Sequence, residues 1–209
     1  MITIDNILDV TQYLDNIDAV IFDMDDTLYS EKEYVKSGYN AIEKEFIEIA
    51  NMSQKLWKAF LNNKNTIDYV LEQEGLLTEE NKSKALEIYR NHIPNIHLYD
   101  GIEDMLTQLK KTKKIGLITD GRPIGQRNKI KALNLEKYIN EIIVTDELGG
   151  VEFRKPNTKA FELMQEKLKI PFEKMVYIGD NINKDFIAPE KLGMQTIYFR
   201  NENGLYFKN

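Results

Sequence analysis

Three carboxylates crowd into four residues at Asp23-Met24-Asp25-Asp26, with the hydroxyl of Thr27 directly after them. Like charges this close raise one another's energy unless a cation sits among them, and an all-oxygen donor set suits a hard ion, most simply Mg²⁺. A single Asp or Thr here would read as a helix N-cap; three acids at the end of an apolar run exceed what capping needs. Polar chemistry recurs after three further apolar runs, at Thr119-Asp120-Gly121, at Thr145-Asp146 and at Gly179-Asp180-Asn181 with Asp185 beyond, and together they suggest one acidic pocket. Between the last two lies Arg154-Lys155-Pro156, where the proline biases Lys155 away from helical geometry and keeps it in a loop. A carboxylate, a metal site, a hydroxyl with backbone N–H donors and a lysine together suit phosphoryl transfer. The metal and the lysine neutralise the transferring group while the carboxylate attacks it. A second carboxylate two residues along suits protonation of the leaving oxygen and then activation of water.

These groups need a frame that brings distant stretches together. Ala19-Val20-Ile21-Phe22 is a short, continuous apolar run with β-branched members, the pattern of a strand buried on both faces of a parallel sheet. Further strands are expected at 114–118, 141–144, 175–178 and 196–199, with helices between them near 102–111, 124–133, 157–168 and 183–191. A short helix over 5–15 leads into the first. Alternation of this kind implies an α/β fold, a Rossmann-like, mainly parallel sheet with helices on both faces, and ligands in such sheets bind at the carboxyl ends of the strands. Residues 30–97 differ in character. Ile42, Phe46 and Ile49 fall at helical spacing, as do Leu56 with Phe60, Trp57 with Leu61 and Ile67 with Leu71, and Ser53, Asn65 and Thr78 stand where new helices would begin. The expectation is a small α-helical domain of about four helices inserted into one α/β domain made of 1–29 and 98–209.

Composition narrows the classes. The chain has 209 residues, 42% hydrophobic and 30% charged, as ordinary globular proteins do. Its net charge of −6, without a long basic run, argues against nucleic-acid binding through phosphate contacts. The absence of cysteine excludes disulfides, thiolate catalysis and Cys-based zinc sites. No apolar stretch approaches the ~20 residues of a membrane span, and Met1-Ile2-Thr3-Ile4-Asp5 lacks the basic and apolar regions of a signal peptide, so no membrane partner and a cytoplasmic location are expected. No G-x-x-x-x-G-K-[ST] or G-x-G-x-x-G loop follows a strand.

The four pieces in this order resemble the haloacid dehalogenase (HAD) superfamily, on its phosphatase branch. Its D-x-D-x-T motif is matched by Asp23 to Thr27, its strand-end Ser or Thr by Thr119, its lysine, often before proline, by Lys155, and its G-D-x-x-x-x-D pattern by Gly179-Asp180 through Asp185. The resemblance implies a Mg²⁺-dependent phosphatase. Asp23 would be the nucleophile, forming an aspartyl-phosphate, and a metal ligand. Asp25 would be the general acid/base and would offer its backbone carbonyl to the metal. Thr119 and the backbone N–H of Asp120 would hold the phosphoryl oxygens, Lys155 would pair with nucleophile and phosphate, and Asp180 would complete the metal site. Asp185 would orient Lys155 or a metal-bound water. The insertion stands where the family carries a helical cap. An Asp at position 25 favours phosphate esters over halides, since halide needs no proton. Many members have Asn where this chain has Asp120. An extra acid beside a phosphate is unhelpful unless it turns away, so its side chain is expected to face the cap or a substrate hydroxyl. Asp26 is expected to be structural.

Arg90, His92 and Arg122 are candidates for the substrate side, and Tyr29 and Tyr34 for the hinge of the insertion. The implied partner is a small phosphorylated metabolite, a sugar phosphate or a nucleoside monophosphate, met by a monomer or homodimer. Two rivals stand beside a phosphatase: a phosphomutase that returns the phosphoryl group to its substrate, and a non-catalytic phospho-accepting or binding module. Receiver-type switches also use Asp, Thr and Lys, but their acid pair precedes the accepting Asp, whereas Asp25 follows Asp23.

Overall fold

The computed structural model describes residues 1–205 and 207, and the chain divides into two units, Met1–Glu31 with His97–Asn209, and Lys32–Ile96. The first is built on six parallel strands: β1 (Ile2–Ile4), β2 (Ala19–Phe22), β3 (Lys114–Thr119), β4 (Glu141–Val144), β5 (Met175–Gly179) and β6 (Gln195–Phe199). Their order across the sheet is β1-β6-β5-β2-β3-β4, and every neighbouring pair is parallel. All four residues of β2 are fully buried, as a strand covered on both faces must be. β2 lies between β3 and β5, and chain order runs outward from it as β3-β4 on one side and as β5-β6 on the other, with β1 added at the edge beside β6. That is a topological switch point, where the loops leaving the carboxyl ends part and leave a crevice.

Ile21 packs in a cluster with Ile118, Ile143, Phe161, Met164 and Tyr177. Full burial of one such side chain contributes about 1.5–3 kcal/mol, and Ile21→Ala would cost about 2–5 kcal/mol. The helices of this unit are α5 (Ile102–Leu109), α6 (Pro123–Ala132), α7 (Lys159–Leu168) and α8 (Ile187–Lys191), numbered after the four of the insertion. α6 begins with proline at its first turn, where the missing N–H has no helical partner to lose.

One strand was not foreseen and two expectations are corrected. β1 pairs Ile2–Ile4 with β6, although three residues are too few to show a period. Residues 5–15 form a 3₁₀ helix, Ile7–Tyr13, begun by the Asn6 side chain accepting from Leu8 N. The helix expected over 183–191 is only Ile187–Lys191, because Asn181 draws the preceding turn in on itself: its Oδ1 accepts from Asn183 N and its carbonyl from Asp185 N.

The second unit holds α1 (Glu31–Glu45, beginning at the boundary), α2 (Met52–Leu61), α3 (Thr66–Gln73) and α4 (Glu79–Asn91). Ile42, Phe46, Ile49, Leu56 and Leu71 are buried in it, so the helical periodicity marks its own core. Thr78 caps α4 by accepting from Asn81 N. Ser53 caps nothing; α2 begins one residue earlier and the Ser53 hydroxyl donates to Glu43. No helix among the described residues is long and apolar enough to cross a membrane.

Candidate active site

The carboxyl end of β2 delivers Asp23, whose backbone N donates to Ile178 O, so the strand ladder continues through the acid itself. Asp23 is 4% exposed, Asp180 8% and Asp185 not at all, and each offers a carboxylate oxygen within 4.8 Å of the others. Lys155 enters this cluster with a side chain that is wholly buried. Its Nζ donates to Asp23 Oδ1 at 2.7 Å and to Tyr177 Oη at 2.8 Å. Asp185 Oδ1 lies 2.8 Å from the same nitrogen as an ion pair, without a hydrogen bond's alignment. The other oxygen of Asp185 accepts from Asn181 N at 2.9 Å. Gly179 permits this approach, since a Cβ there would stand 2.5 Å from Asp185 Oδ2.

One lysine does not neutralise three buried acids. Burial, with repulsion from Asp23 and Asp185, pushes Asp180 up to about 9. Burial also pushes Asp23 up to about 7, with Lys155 opposing and Asp185 adding to the rise. Burial alone would lower Lys155, but Asp185 and Asp23 hold it well above the ordinary lysine value. Surplus negative charge on buried hard oxygen donors fits a divalent cation such as Mg²⁺, with Asp23 and Asp180 as the carboxylates that would hold it.

A second cluster surrounds Asp25. Its Oδ1 accepts from Lys129 Nζ at 2.7 Å and from the Tyr29 hydroxyl, and its Oδ2 accepts from Gln126 Nε2 at 2.9 Å. Burial would raise Asp25, yet the Lys129 charge and these three donors hold it below the usual carboxylate range. Gln126 Nε2 also donates to Thr119 Oγ1, so one amide ties the hydroxyl at the end of β3 to the acid after β2. Lys129, Gln126 and the contact of Tyr29 with Asp25 have no counterpart in the sequence reading. The one available signal is that Gln126 and Lys129 stand three apart on α6 and share a face, a face that is buried with Ile130.

Asp120 is held differently from the expectation. Its Oδ1 accepts from Thr145 Oγ1 at 3.0 Å and from Lys155 N at 3.1 Å, and its Oδ2 from Lys184 Nζ at 2.8 Å. The carboxylate therefore turns into the protein; a side chain directed at the insertion or a substrate hydroxyl is not what the structure has. Asp146 does not join the pocket either, because Arg154 grips both its oxygens at 2.7 Å. Asp26 is fully buried and accepts from Glu31 N and Leu205 N, a structural acid. Glu31, half-buried at the start of α1, is pushed up to about 8 by burial, with Asp25 adding to the rise and Lys129 opposing it.

Among the substrate-side candidates, Arg122 is exposed at the N-cap of α6. Arg90 and His92 belong to the helical unit. Arg90 is exposed near the end of α4, while His92 Nδ1 lies 2.7 Å from Tyr89 O and its ring rests against Tyr34. The α/β unit thus gathers Asp23, Asp25, Thr119, Asp120, Lys155, Asp180 and Asp185, and the two residues on α4 and at its cap stand in the other unit.

Residues 20–199 match the model of the family described as haloacid dehalogenase-like hydrolase. The chain is 28% identical over 194 residues to the glyceraldehyde 3-phosphate phosphatase of Methanocaldococcus jannaschii, spanning 87% of this chain and 84% of that protein. It is 25% identical over 215 residues to human N-acylneuraminate-9-phosphatase, spanning 92% and 86%. Among solved structures it is similar to a HAD-superfamily hydrolase of Geobacter sulfurreducens, with a TM-score of 0.67 and 16% identity over 90% of this chain and 89% of that one. It is also similar to a magnesium-bound structure of YfnB from Bacillus subtilis, with a TM-score of 0.63 and 20% identity over 87% and 86%. At those identities the two structures speak for the fold alone.

Proposed function

We propose that this chain, which belongs to the haloacid dehalogenase-like hydrolase family, is a Mg²⁺-dependent phosphatase that hydrolyses a small phosphomonoester through an aspartyl-phosphate on Asp23. The observation that carries the reading is Lys155 Nζ bonded to Asp23 Oδ1 inside a cluster of three buried carboxylates. A nucleophilic carboxylate needs a cation beside it that also attracts the incoming phosphoryl group, and Lys155 meets both needs.

Asp23, Asp180 and the backbone carbonyl of Asp25 would hold the metal, which when bound supplies charge neutralisation and alignment of the phosphoryl oxygens. Thr119 and the Asp120 backbone N–H would receive the remaining oxygens. Asp23 attacks phosphorus and the ester oxygen departs, taking a proton from Asp25. In the free site Lys129, Tyr29 and Gln126 keep Asp25 as a carboxylate; an arriving phosphate brings negative charge that raises its proton affinity. Having lost that proton, Asp25 takes one from the water that attacks the phospho-aspartate, and inorganic phosphate is released.

The substrate class proposed is a sugar phosphate or a nucleoside monophosphate. Glyceraldehyde 3-phosphate heads the panel because several relatives are named for it. The test is phosphate release, with Mg²⁺ and with EDTA, over triose, pentose and hexose phosphates, sialic acid 9-phosphate and nucleoside monophosphates, with Asp23→Asn as the blank. Release that Asp23→Asn retains, or no release from any ester, would sink the reading; isomerised ester without free phosphate would make the protein a mutase.

A further inference from the structure

Lys184 takes no part in the mechanism above, yet it lies beside the phosphate-binding turn. Its Nζ donates to Asp120 Oδ2 at 2.8 Å, with 30% of its side chain exposed against 9% for Asp120. The other oxygen of Asp120 accepts from Thr145 Oγ1 and from the backbone N of Lys155. One carboxylate therefore binds together the segments after β3, β4 and β5 and the loop that carries Lys155. A full negative charge next to Thr119 opposes the binding of a phosphate dianion, and at short range in a buried site such repulsion is large.

We infer that Lys184 is a positioning residue for phosphate binding: it neutralises Asp120 and holds it turned away, so that Asp120 can anchor the Lys155 loop without repelling the phosphoryl group. The inference rests on the phosphatase reading. Two features support a role through Asp120 rather than on the substrate directly. Lys184 Nζ already has an acceptor in Asp120 Oδ2, and Lys155 supplies the cation bonded to the nucleophile. Asn at position 120 would keep the oxygen that accepts from Thr145 and Lys155 N, but its amide would face the Lys184 ammonium donor to donor.

The test is a double-mutant cycle on KM and kcat for the best ester of the panel, and on orthovanadate inhibition. Lys184→Met strips the counter-charge and is expected to raise KM and the vanadate inhibition constant about tenfold, with kcat changed less than about threefold. Lys184→Arg keeps the charge and should stay within about threefold of wild type. With Asp120→Asn as the other single variant of the cycle, Asp120→Asn/Lys184→Met removes both charges and should recover most of the loss seen in Lys184→Met. Thermal midpoints of all variants separate this pattern from misfolding, which would lower kcat and KM-dependent terms together with the midpoint. Equal losses in Lys184→Met and the double variant would place Lys184 on the phosphoryl group itself and overturn the inference, as would no change in Lys184→Met. If wild type hydrolyses no ester, the phosphatase reading fails separately. The cycle is then run on inorganic phosphate binding with Mg²⁺ by calorimetry, where the same recovery supports the pair and its absence, or no binding, overturns it.

Discussion

Lys129 Nζ lies 2.7 Å from Asp25 Oδ1, and only 5% of the lysine side chain meets solvent against 17% of the aspartate. A lysine is rarely buried to this degree without an acid to justify it. α6 thus brings a cation to the residue proposed to exchange protons, and Gln126 on the same helix face links that residue to Thr119.

Lys129→Met is expected to destabilise the protein by about 2–4 kcal/mol, toward the low side for a broken buried pair because Tyr29 and Gln126 still donate to Asp25. Asp25→Asn removes the carboxylate charge that Lys129 donates to and should cost a similar amount. The double variant should cost less than the sum of the singles by at least about 1 kcal/mol. Urea denaturation of the three variants measures this; strict additivity would mean that the two charges do not stabilise each other.

What could be read from residues alone follows from how strongly position constrains type. Strands β2, β3 and β5 were legible because burial on both faces turns them into largely apolar runs, and the acids after them stand out by contrast. The pairing of Lys129 with Asp25 was not legible: Gln126-Arg127-Asn128-Lys129 has the composition of any solvated helical turn, and only the docking of α6 decides which of its polar residues turn inward. Asp120 drew attention as an acid beside a phosphate turn, but its partner Lys184 is 64 residues away, and nothing local couples the two. Tyr29 could be placed next to the first motif, whereas the bond of its hydroxyl to Asp25 depends on a side-chain direction that spacing does not give.

Metal-free protein should lose stability as pH rises. Asp180 is pushed to about 9 and Asp23 to about 7, both above the ordinary aspartate value. Between about 4 and those values the native state holds a proton that the unfolded state has released. The unfolded state then binds fewer protons, so unfolding free energy falls with pH, by at most about 1.4 kcal/mol per unit for each group. The contribution is greatest below about 4 and is lost as pH passes the raised values. Urea midpoints in EDTA should decline from pH 5 to 9, and Asp180→Asn should flatten the decline. A midpoint that rises over this range would contradict the surplus of negative charge.

Binding of Mg²⁺ should release protons for the same reason. At pH 7.5 Asp180 carries a proton in the free site, and a carboxylate must lose it to become a ligand. Calorimetry in two buffers of different ionisation enthalpy should report about one proton released per ion. Asp180→Asn should both weaken binding and remove the release. Binding with no proton exchange would mean that the acid is already ionised.

Lys155→Met tests the centre of the site most directly. The ammonium is wholly buried, paired with Asp23 and Asp185 and donating to Tyr177, so its removal leaves two buried carboxylates without a cation, at a cost of about 3–5 kcal/mol. The loss should be smaller at pH 5.5, where Asp23, already raised by burial, can take up a proton, than at pH 8, where it must either ionise without Lys155 or bind a proton against the bulk. Adding Asp185→Asn removes one of the stranded charges and should recover part of the stability. It should recover none of the turnover, because the cation beside the nucleophile is still missing and that loss is expected to exceed about 10²-fold. Urea midpoints at the two pH values, read with phosphate release from the same preparations, separate the structural share of Lys155 from its share in the reaction. Were Asp185→Asn to restore turnover along with stability, Lys155 would act only as scaffold.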